Sequence, residues 1–162
     1  MITKRKKKKM PNNYSILLVF LLTTAVAGSA GLVWDINGWY YLSLEQPSFT
    51  PPSWLFGPVW TTLYALMAVS AWRLVKIGRG AALALAFWTL QITLNAMWTP
   101  VFFGGYDLAK AFYYIVALWI AIAATIVTSW RQDKWASVML WPYLCWVSFA
   151  SVLNYTFWAL NP

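Results

Sequence analysis

The fold of this chain is decided by residues 81–103, which read AALALAFWTLQITLNAMWTPVFF and contain no charged side chain. About 20 apolar residues in succession are enough for a helix to cross the hydrocarbon core of a bilayer. Four further apolar segments lie at about residues 14–34, 54–75, 108–130 and 135–158. The sequence therefore predicts an all-α integral membrane protein. We expect a five-transmembrane-helix bundle over residues 14–162, preceded by a basic tail at residues 1–13.

The composition excludes a soluble catalytic domain. Hydrophobic residues make up 61% of the chain and charged residues 10%, against roughly 45–50% and 25% in soluble proteins. The chain has no histidine, and Cys145 is its single cysteine. We therefore expect no metal site of the usual imidazole type, no intramolecular disulfide and no obligatory cofactor.

The distribution of basic residues predicts how the chain is oriented. Six of the twelve Lys and Arg residues lie between Lys4 and Lys9, and five more lie at or just beyond the ends of the second and fourth segments, namely Arg73, Lys76, Arg79, Arg131 and Lys134. With five spans, these eleven share one side of the membrane and Lys110 lies on the other. The positive-inside rule then places the N-terminus in the cytoplasm. The basic tail has no interleaved aromatic residues, which argues against nucleic-acid binding and favours contact with anionic lipid headgroups.

The first segment has an alternative interpretation as a cleavable signal peptide, because Ala25-Val26-Ala27 resembles a cleavage site. The apolar sequence continues to Trp34, which is long enough to span. We therefore expect an uncleaved helix. All four acidic residues lie in links or at segment ends, and the absence of charge at mid-membrane depth argues against an ion-coupled transporter. A largely apolar ligand is favoured instead.

Thirteen tryptophans are the most conspicuous feature of the composition. Those at segment ends are typical of an aromatic belt at the membrane interface: Trp34, Trp54, Trp130, Trp135 and Trp158. Trp60, Trp98 and Trp146 lie deeper in their segments, where an indole N–H needs a partner. Flat aromatic side chains that face an interior could stack on a flat, conjugated ligand.

Two helical faces carry the candidate ligand-binding residues. On the third segment, Gln91, Asn95, Trp98 and Phe102 share one face by their spacing, so their amides either bond to neighbouring helices or line a ligand cavity. The second face, on the fifth segment, holds Trp146, Ala150 and Leu153. The long link at residues 35–53 contains several prolines and aromatic residues. It is interpreted either as a lid over the bundle or as a loop lying on the membrane.

Three separated motifs resemble the translocator protein or tryptophan-rich sensory protein family, once called peripheral benzodiazepine receptors. The first runs from Gln46 to Pro52 and continues to Trp60, Leu63 and Tyr64. The second is Gln91-x-x-x-Asn95-x-x-Trp98-x-Pro100-x-Phe102-Phe103-Gly104, and the third covers Pro142 to Trp146 with Phe149 to Tyr155. The resemblance covers nearly the whole chain after the basic tail, and it implies a bacterial-type member in the cell membrane.

That resemblance implies a homodimer with a porphyrin-binding pocket beneath the long link, and a role as a membrane receptor, sensor or transporter for porphyrin-like tetrapyrroles. The alternative that it implies is an enzyme for light-dependent oxidative degradation of protoporphyrin, with Trp60 and Trp146 as the redox residues. A third possibility is a structural scaffold without a ligand. The candidate ligand-binding residues are Trp39, Pro47, Phe49, Trp60, Gln91, Asn95, Trp98, Phe102, Trp146, Ala150 and Leu153.

The chain departs from the family pattern at two places. Phe49 stands where the family usually has tryptophan, which keeps an aromatic ring but loses an indole donor. The sterol pattern of the family's last helix needs a basic residue after Tyr155, and residues 156–161 contain none. Sterol binding is therefore not expected.

Overall fold

The structure, a computed structural model, describes residues 14–29, 33–34 and 38–162. The predicted basic tail (residues 1–13) lies outside the described residues. Within the described ranges all regular structure is helical, and no strand is present. The α-helices are α1 (Tyr14–Gly28), α2 (Trp39–Ser43), α3 (Phe56–Val75), α4 (Ala82–Thr99), α5 (Leu108–Trp130), α6 (Lys134–Val138) and α7 (Trp141–Leu160).

Four helical stretches are long and apolar enough to cross a membrane, namely Ser53–Val75, Gly78–Gly104, Leu108–Trp130 and Lys134–Leu160. The chain is thus an all-α integral membrane protein. Within the first predicted segment, residues 14–34, α1 ends at Gly28 after 15 residues, and residues 30–32 lie outside the described residues. A Cβ atom at Gly28 would lie 2.5 Å from the ring of Tyr64, so glycine permits α1 to approach α3 closely at this point.

Prolines interrupt two of the predicted helices. The third, expected over residues 81–103, changes at Pro100 into a π-helical turn, Pro100–Gly104, in which Gly105 N donates to Pro100 O at 2.8 Å. The fifth, expected over residues 135–158, is divided into α6 and α7 at Met139 and Leu140. Pro142 lies in the first turn of α7, where its missing N–H costs no hydrogen bond.

Two other segments also differ from the expected bounds. The second helix, predicted over residues 54–75, begins with a 3₁₀ turn at Ser53–Leu55 before α3. The long link at residues 35–53 contains the short helix α2. Link residues 35–37 lie outside the described residues.

The helices pack most extensively as α4 against α5, α5 against α7 and α1 against α3. At the end of the bundle that carries Arg73, called here the basic half, small side chains are fully buried between them. These are Ala68, Ser70, Ala71, Ala81, Ala84, Ser129, Ala136 and Ser137. Small residues let helix backbones approach closely in a membrane. Among the described helices, α3 and α7 are not an extensively packed pair, and the candidate site lies between them.

Candidate functional site

A cleft of about 610 Å³ lies between α3 and α7. Two helices form its walls, which are almost entirely apolar and carry no charged side chain. The lining residues are Pro58, Val59, Thr62, Leu63, Pro142, Cys145, Trp146 and Phe149. Cavities of this size and character are typical of small-molecule sites.

Trp146 is the largest side chain that lines the cleft. Its ring centroid lies 5.8 Å from that of Phe56 on α3, in an edge-to-face arrangement, and 5.7 Å from that of Phe149 on α7. The indole is half-buried, so one part of its surface packs in the protein and the rest faces the cleft. Trp146 is thus positioned to stack on a planar ligand.

Trp60 stands on α3 one turn before Tyr64, and the two rings are stacked with centroids 5.3 Å apart. It also meets Tyr143 of α7 edge to face at 6.1 Å. Aromatic rings, rather than close backbones, therefore bridge α3 and α7. Bulky rings hold the two helices apart, and this separation leaves room for the cleft.

Asn95 joins the helices on either side of the cleft. Tyr64 Oη donates to Asn95 Oδ1 at 2.9 Å, and Asn95 Nδ2 donates to Tyr143 Oη at 3.0 Å. The interhelical hydrogen bonding expected of an amide in a membrane helix is thus present at Asn95. Because Asn95 and Tyr143 are both buried, this network positions the rings of Tyr64 and Tyr143 against Trp60.

Gln91 behaves differently from Asn95, although both lie on the same face of α4. Its side chain is fully buried, and neither amide atom has a hydrogen-bond partner in the described part of the chain. The predicted interhelical bonding is therefore not seen at Gln91. Nothing in the structure explains its unpaired amide.

Trp98 and Phe102 continue the face of α4 toward the long link. Trp98 Nε1 donates to Asn154 Oδ1 at 3.0 Å, and Asn154 Nδ2 donates to Leu108 O at 3.2 Å. The indole N–H of this interior tryptophan therefore has the partner that a buried donor requires. Phe102 is buried, with its ring 5.0 Å from that of Trp98.

The two smaller candidates on α7 belong to different clusters. Ala150 is half-buried and packs with Trp60, Trp98 and Trp146 against the core cluster that contains Tyr143. Leu153 is buried in a second cluster with Phe102 and Phe157, toward the long link. Trp98 packs against both clusters, so it connects the cleft region to the residues beneath the link.

The long link covers the end of the bundle, but its three candidate residues lie in different surroundings. Pro47 is buried, and its carbonyl accepts hydrogen bonds from Thr50 N at 3.0 Å and Thr50 Oγ1 at 2.7 Å. Phe49 is partly exposed and meets the cleft residue Phe149 at 6.3 Å. Trp39 is 69% exposed and rests on Tyr106, so it is not brought to the cleft.

Two tyrosines of the link pack on aromatic rings of the bundle beneath it. The rings of Tyr40 and Tyr41 meet Phe102 and Phe157. Burial, with the Asp107 carboxylate as a second cause, raises the pKa of the Tyr40 phenol above its ordinary value, and burial also raises the pKa of Tyr41. Both phenols therefore stay uncharged at physiological pH, which suits a segment packed on an apolar bundle.

Several residues of the site were not among the predicted ones. The cleft also contains Phe149, and the polar network depends on Tyr64, Tyr143 and Asn154. For Tyr64, Tyr143 and Asn154 the polar group is the available signal, since a phenol or amide inside a membrane helix requires a partner; Phe149 offers no such signal. Which of them pair is decided by how the helices are arranged, and spacing along one helix does not predict that.

Comparison with known proteins gives consistent matches. The family model described as TspO/MBR family matches residues 15–159. A protein named CrtK from Rhodobacter capsulatus is 41% identical over 91% of this chain and 94% of that protein. The tryptophan-rich sensory protein of Cereibacter sphaeroides is 36% identical over 94% of this chain and 95% of its own length. The human translocator protein is 36% identical over 75% of each chain.

Proposed function

Because the chain belongs to the TspO/MBR family, we propose that it is a membrane receptor, sensor or transporter that binds porphyrin-like tetrapyrroles in the cleft between α3 and α7. The observation that carries the proposal is that Trp60, Trp98 and Trp146 are all half-buried and pack against one core cluster. Trp146 lines the cleft itself and provides a flat surface for a flat ligand. Trp60 and Trp98 pack against the same cluster beside it.

The character of the cleft supports the same ligand class. Its walls are uncharged and almost wholly apolar, and its volume of about 610 Å³ falls in the range of small-molecule pockets. The conjugated ring of a porphyrin gains contact area from stacking on Trp146 and Phe149, and its acidic side chains would lie at the open edge of the cleft, away from the uncharged walls. The site as proposed needs no obligatory cofactor and no nucleic acid. It does not include sterol, because the basic residue of the sterol pattern is absent.

The membrane arrangement is part of this proposal. We assign five spans, with residues 14–34 as the first, because α1 packs along the spanning helix α3. An odd number of spans places eleven of the twelve basic residues on one side, and the N-terminus is then cytoplasmic. We further propose that the protein lies in a bacterial cell membrane and forms a homodimer.

Equilibrium titration of protoporphyrin in detergent tests the proposed function. Porphyrin absorbance and fluorescence anisotropy are the readouts, since the remaining tryptophans would obscure intrinsic fluorescence. The triple change Trp60→Phe, Trp98→Phe and Trp146→Phe should raise Kd at least about tenfold, which corresponds to about 1.4 kcal/mol. The matched control replaces three exposed tryptophans, Trp130, Trp135 and Trp141, and should leave Kd unchanged. Equal effects of the two triple changes would contradict the proposal.

Light-dependent oxidative degradation of protoporphyrin is the second candidate function. The stacked pair of Trp60 and Tyr64 favours it, since two readily oxidised rings lie 5.3 Å apart beside the site. The oxidant in this candidate reaction is dioxygen, which accepts the electrons. Illumination of the complex in air should then give a new absorbing product faster than free tryptophan does at the same concentration. Trp60→Phe together with Trp146→Phe should abolish that difference. Loss of porphyrin at the rate seen with free tryptophan would leave binding as the only function.

A further inference from the structure

The described part of the long link, from residue 38 onward, is held against the end of the bundle. Glu45 N donates to Asn161 Oδ1 at 2.8 Å, and Asn161 Nδ2 donates to Glu45 O at 3.1 Å. These bonds tie the link to the C-terminal end of α7. Beside them Tyr41 packs on Phe103 and Phe157, with centroids 5.9 and 5.8 Å apart. A ligand entering by this route would have to break both the hydrogen bonds and the ring contacts.

The side of the bundle between α3 and α7 is open by comparison. Four of the residues that line the cleft are exposed at its edges: Pro58, Thr62, Pro142 and Cys145. All four belong to stretches long enough to cross a membrane. In the membrane arrangement proposed above, their exposed surfaces face hydrocarbon, and the cleft opens in that direction.

The exposed edges of this opening are suited to contact with lipid. Thr62 Oγ1 donates to Pro58 O at 2.9 Å, so the hydroxyl is satisfied within its own helix. Pro58 and Pro142 have no backbone N–H to leave unpaired. The walls therefore expose no strong hydrogen-bond donor without a partner, as hydrocarbon requires.

We infer that the gap between α3 and α7 is a lateral portal, through which a porphyrin-like ligand enters the cleft directly from the bilayer. The inference rests on the proposed function and adds the route of entry. A tetrapyrrole dissolved in the membrane reaches Trp146 and Phe149 by moving sideways between the two helices, while the link stays in place. The route does not require the Glu45–Asn161 bonds to open.

The decisive experiment compares locking the link with filling the portal. Glu45→Cys and Asn161→Cys are introduced together in a Cys145→Ala background, and the protein is studied oxidised and reduced in vesicles. Separately, Thr62→Trp fills the portal, and Val152→Trp adds the same side chain at an exposed position of α7 outside the cleft lining. Stopped-flow fluorescence follows transfer of protoporphyrin from donor vesicles to each protein.

We expect oxidation of the cysteine pair to change the association rate by less than about twofold. Thr62→Trp should slow association at least about tenfold, and Val152→Trp should have no effect. An oxidised link that slows association more than about fivefold would overturn the inference, and so would an unchanged rate for Thr62→Trp. Equilibrium binding by the unmodified protein is measured first. Its absence would mean failure of the proposed function itself rather than of the portal.

Cys145 gives a second measurement that requires no substitution, because it is the chain's single cysteine and is exposed at the portal. In vesicles at alkaline pH, the membrane-permeant N-ethylmaleimide should modify it slowly, because maleimides react with the thiolate form of cysteine, whereas a positively charged methanethiosulfonate reagent should not modify it. Saturating protoporphyrin should slow the maleimide reaction at least about fivefold. Equal reaction with the charged reagent would show a water-filled opening and overturn the inference. The absence of protection by protoporphyrin would overturn it as well.

Discussion

The two halves of the bundle are built from side chains of opposite size. In the basic half, alanine and serine are fully buried where helices cross, and hydroxyls bond between helices. Ser70 Oγ donates to Ala136 O at 2.8 Å, and Ser137 Oγ donates to Ile126 O at 2.7 Å. In the half beneath the long link, called here the loop half, half-buried tryptophans occupy the corresponding space and a cleft is present.

The comparison shows how one bundle can be tightly packed in one half and hold a cleft between two helices in the other. Small residues allow helix backbones to approach, so dispersion contacts and hydroxyl bonds close the basic half. Rings such as Trp60 and Trp146 bridge α3 and α7 at centroid distances near 6 Å. A gap bridged by rings retains volume that a ligand can fill. Stability should therefore depend mainly on the basic half and ligand affinity mainly on the loop half.

Asp133→Ala should give the largest loss of stability. Asp133 caps α6 through Trp135 N at 2.9 Å and Ala136 N at 3.2 Å, and it forms an ion pair with Arg73 at 2.9 Å. Loss of the cap and of a partly buried charged bond should lower the free energy of unfolding by about 3 kcal/mol. Unfolding in mixed dodecyl sulfate micelles measures this.

The matched control for Asp133→Ala is Asp107→Ala. Asp107 caps α5 with one bond, to Lys110 N at 2.8 Å, and none of the described basic side chains forms an ion pair with it. It should cost about 1 kcal/mol. The protoporphyrin Kd of both variants should remain unchanged. Equal costs at the two positions would mean that the ion pair contributes nothing to the stability of the basic half.

Asn95→Leu should have the next largest effect, and it should act on both stability and binding. The change leaves the phenols of Tyr64 and Tyr143 without their shared amide, at a cost of about 1.5 kcal/mol in the free energy of unfolding. Protoporphyrin affinity should fall several-fold because the rings against Trp60 are no longer positioned. The control is Thr93→Val on the exposed face of α4, whose hydroxyl bonds only within its own helix. Unchanged protoporphyrin affinity in Asn95→Leu would show that the hydrogen bonds of Asn95 do not contribute to ligand binding.

Asn161→Ala should have the smallest effect on stability. Asn161 bonds to both backbone groups of Glu45 but at an exposed position, so the loss should be about 0.5 kcal/mol. Limited proteolysis within the link should nevertheless become faster, because its attachment to α7 is removed. The rate of cleavage in the link, compared with that in the exposed link between α5 and α6, measures the effect. Unchanged cleavage would show that ring contacts alone hold the link.

The sequence predicts the membrane class of this chain because hydrocarbon imposes a simple rule of length and polarity. The uncharged run at residues 81–103 and the apolar run at 108–130 are sufficient for that conclusion. The inward face of α4 and of the π-helical turn that follows it also agrees with the spacing, since Gln91, Asn95 and Phe102 are all buried. Helix ends follow less well. α1 ends at Gly28, before the predicted bound at Trp34. Pro142 indicates a bend or a new helix start in the last segment, but the sequence does not predict that α6 ends as early as Val138.

The candidate site, too, could be predicted only in part from the sequence. Spacing along α4 and α7 selects Trp98, Asn95 and Trp146 as residues of interest. It does not predict that Trp98 bonds to Asn154, that Asn95 bonds to Tyr64 and Tyr143, or that Gln91 is buried without a partner. Nor does it show that Trp39 rests on Tyr106 outside the cleft. Each of these depends on which helices are neighbours and at what separation.

The sequence by itself determined that this chain is an all-α protein of the membrane, with uncharged spans and three interior tryptophans. Those properties depend on composition and on the helical spacing of side chains, and both can be determined within a single segment of the chain. Only the tertiary structure decided that the basic half closes around small residues while α3 and α7 stay apart around aromatic ones. The distance between two helices depends on the sum of the side chains that meet between them, and those side chains come from segments far apart in the chain.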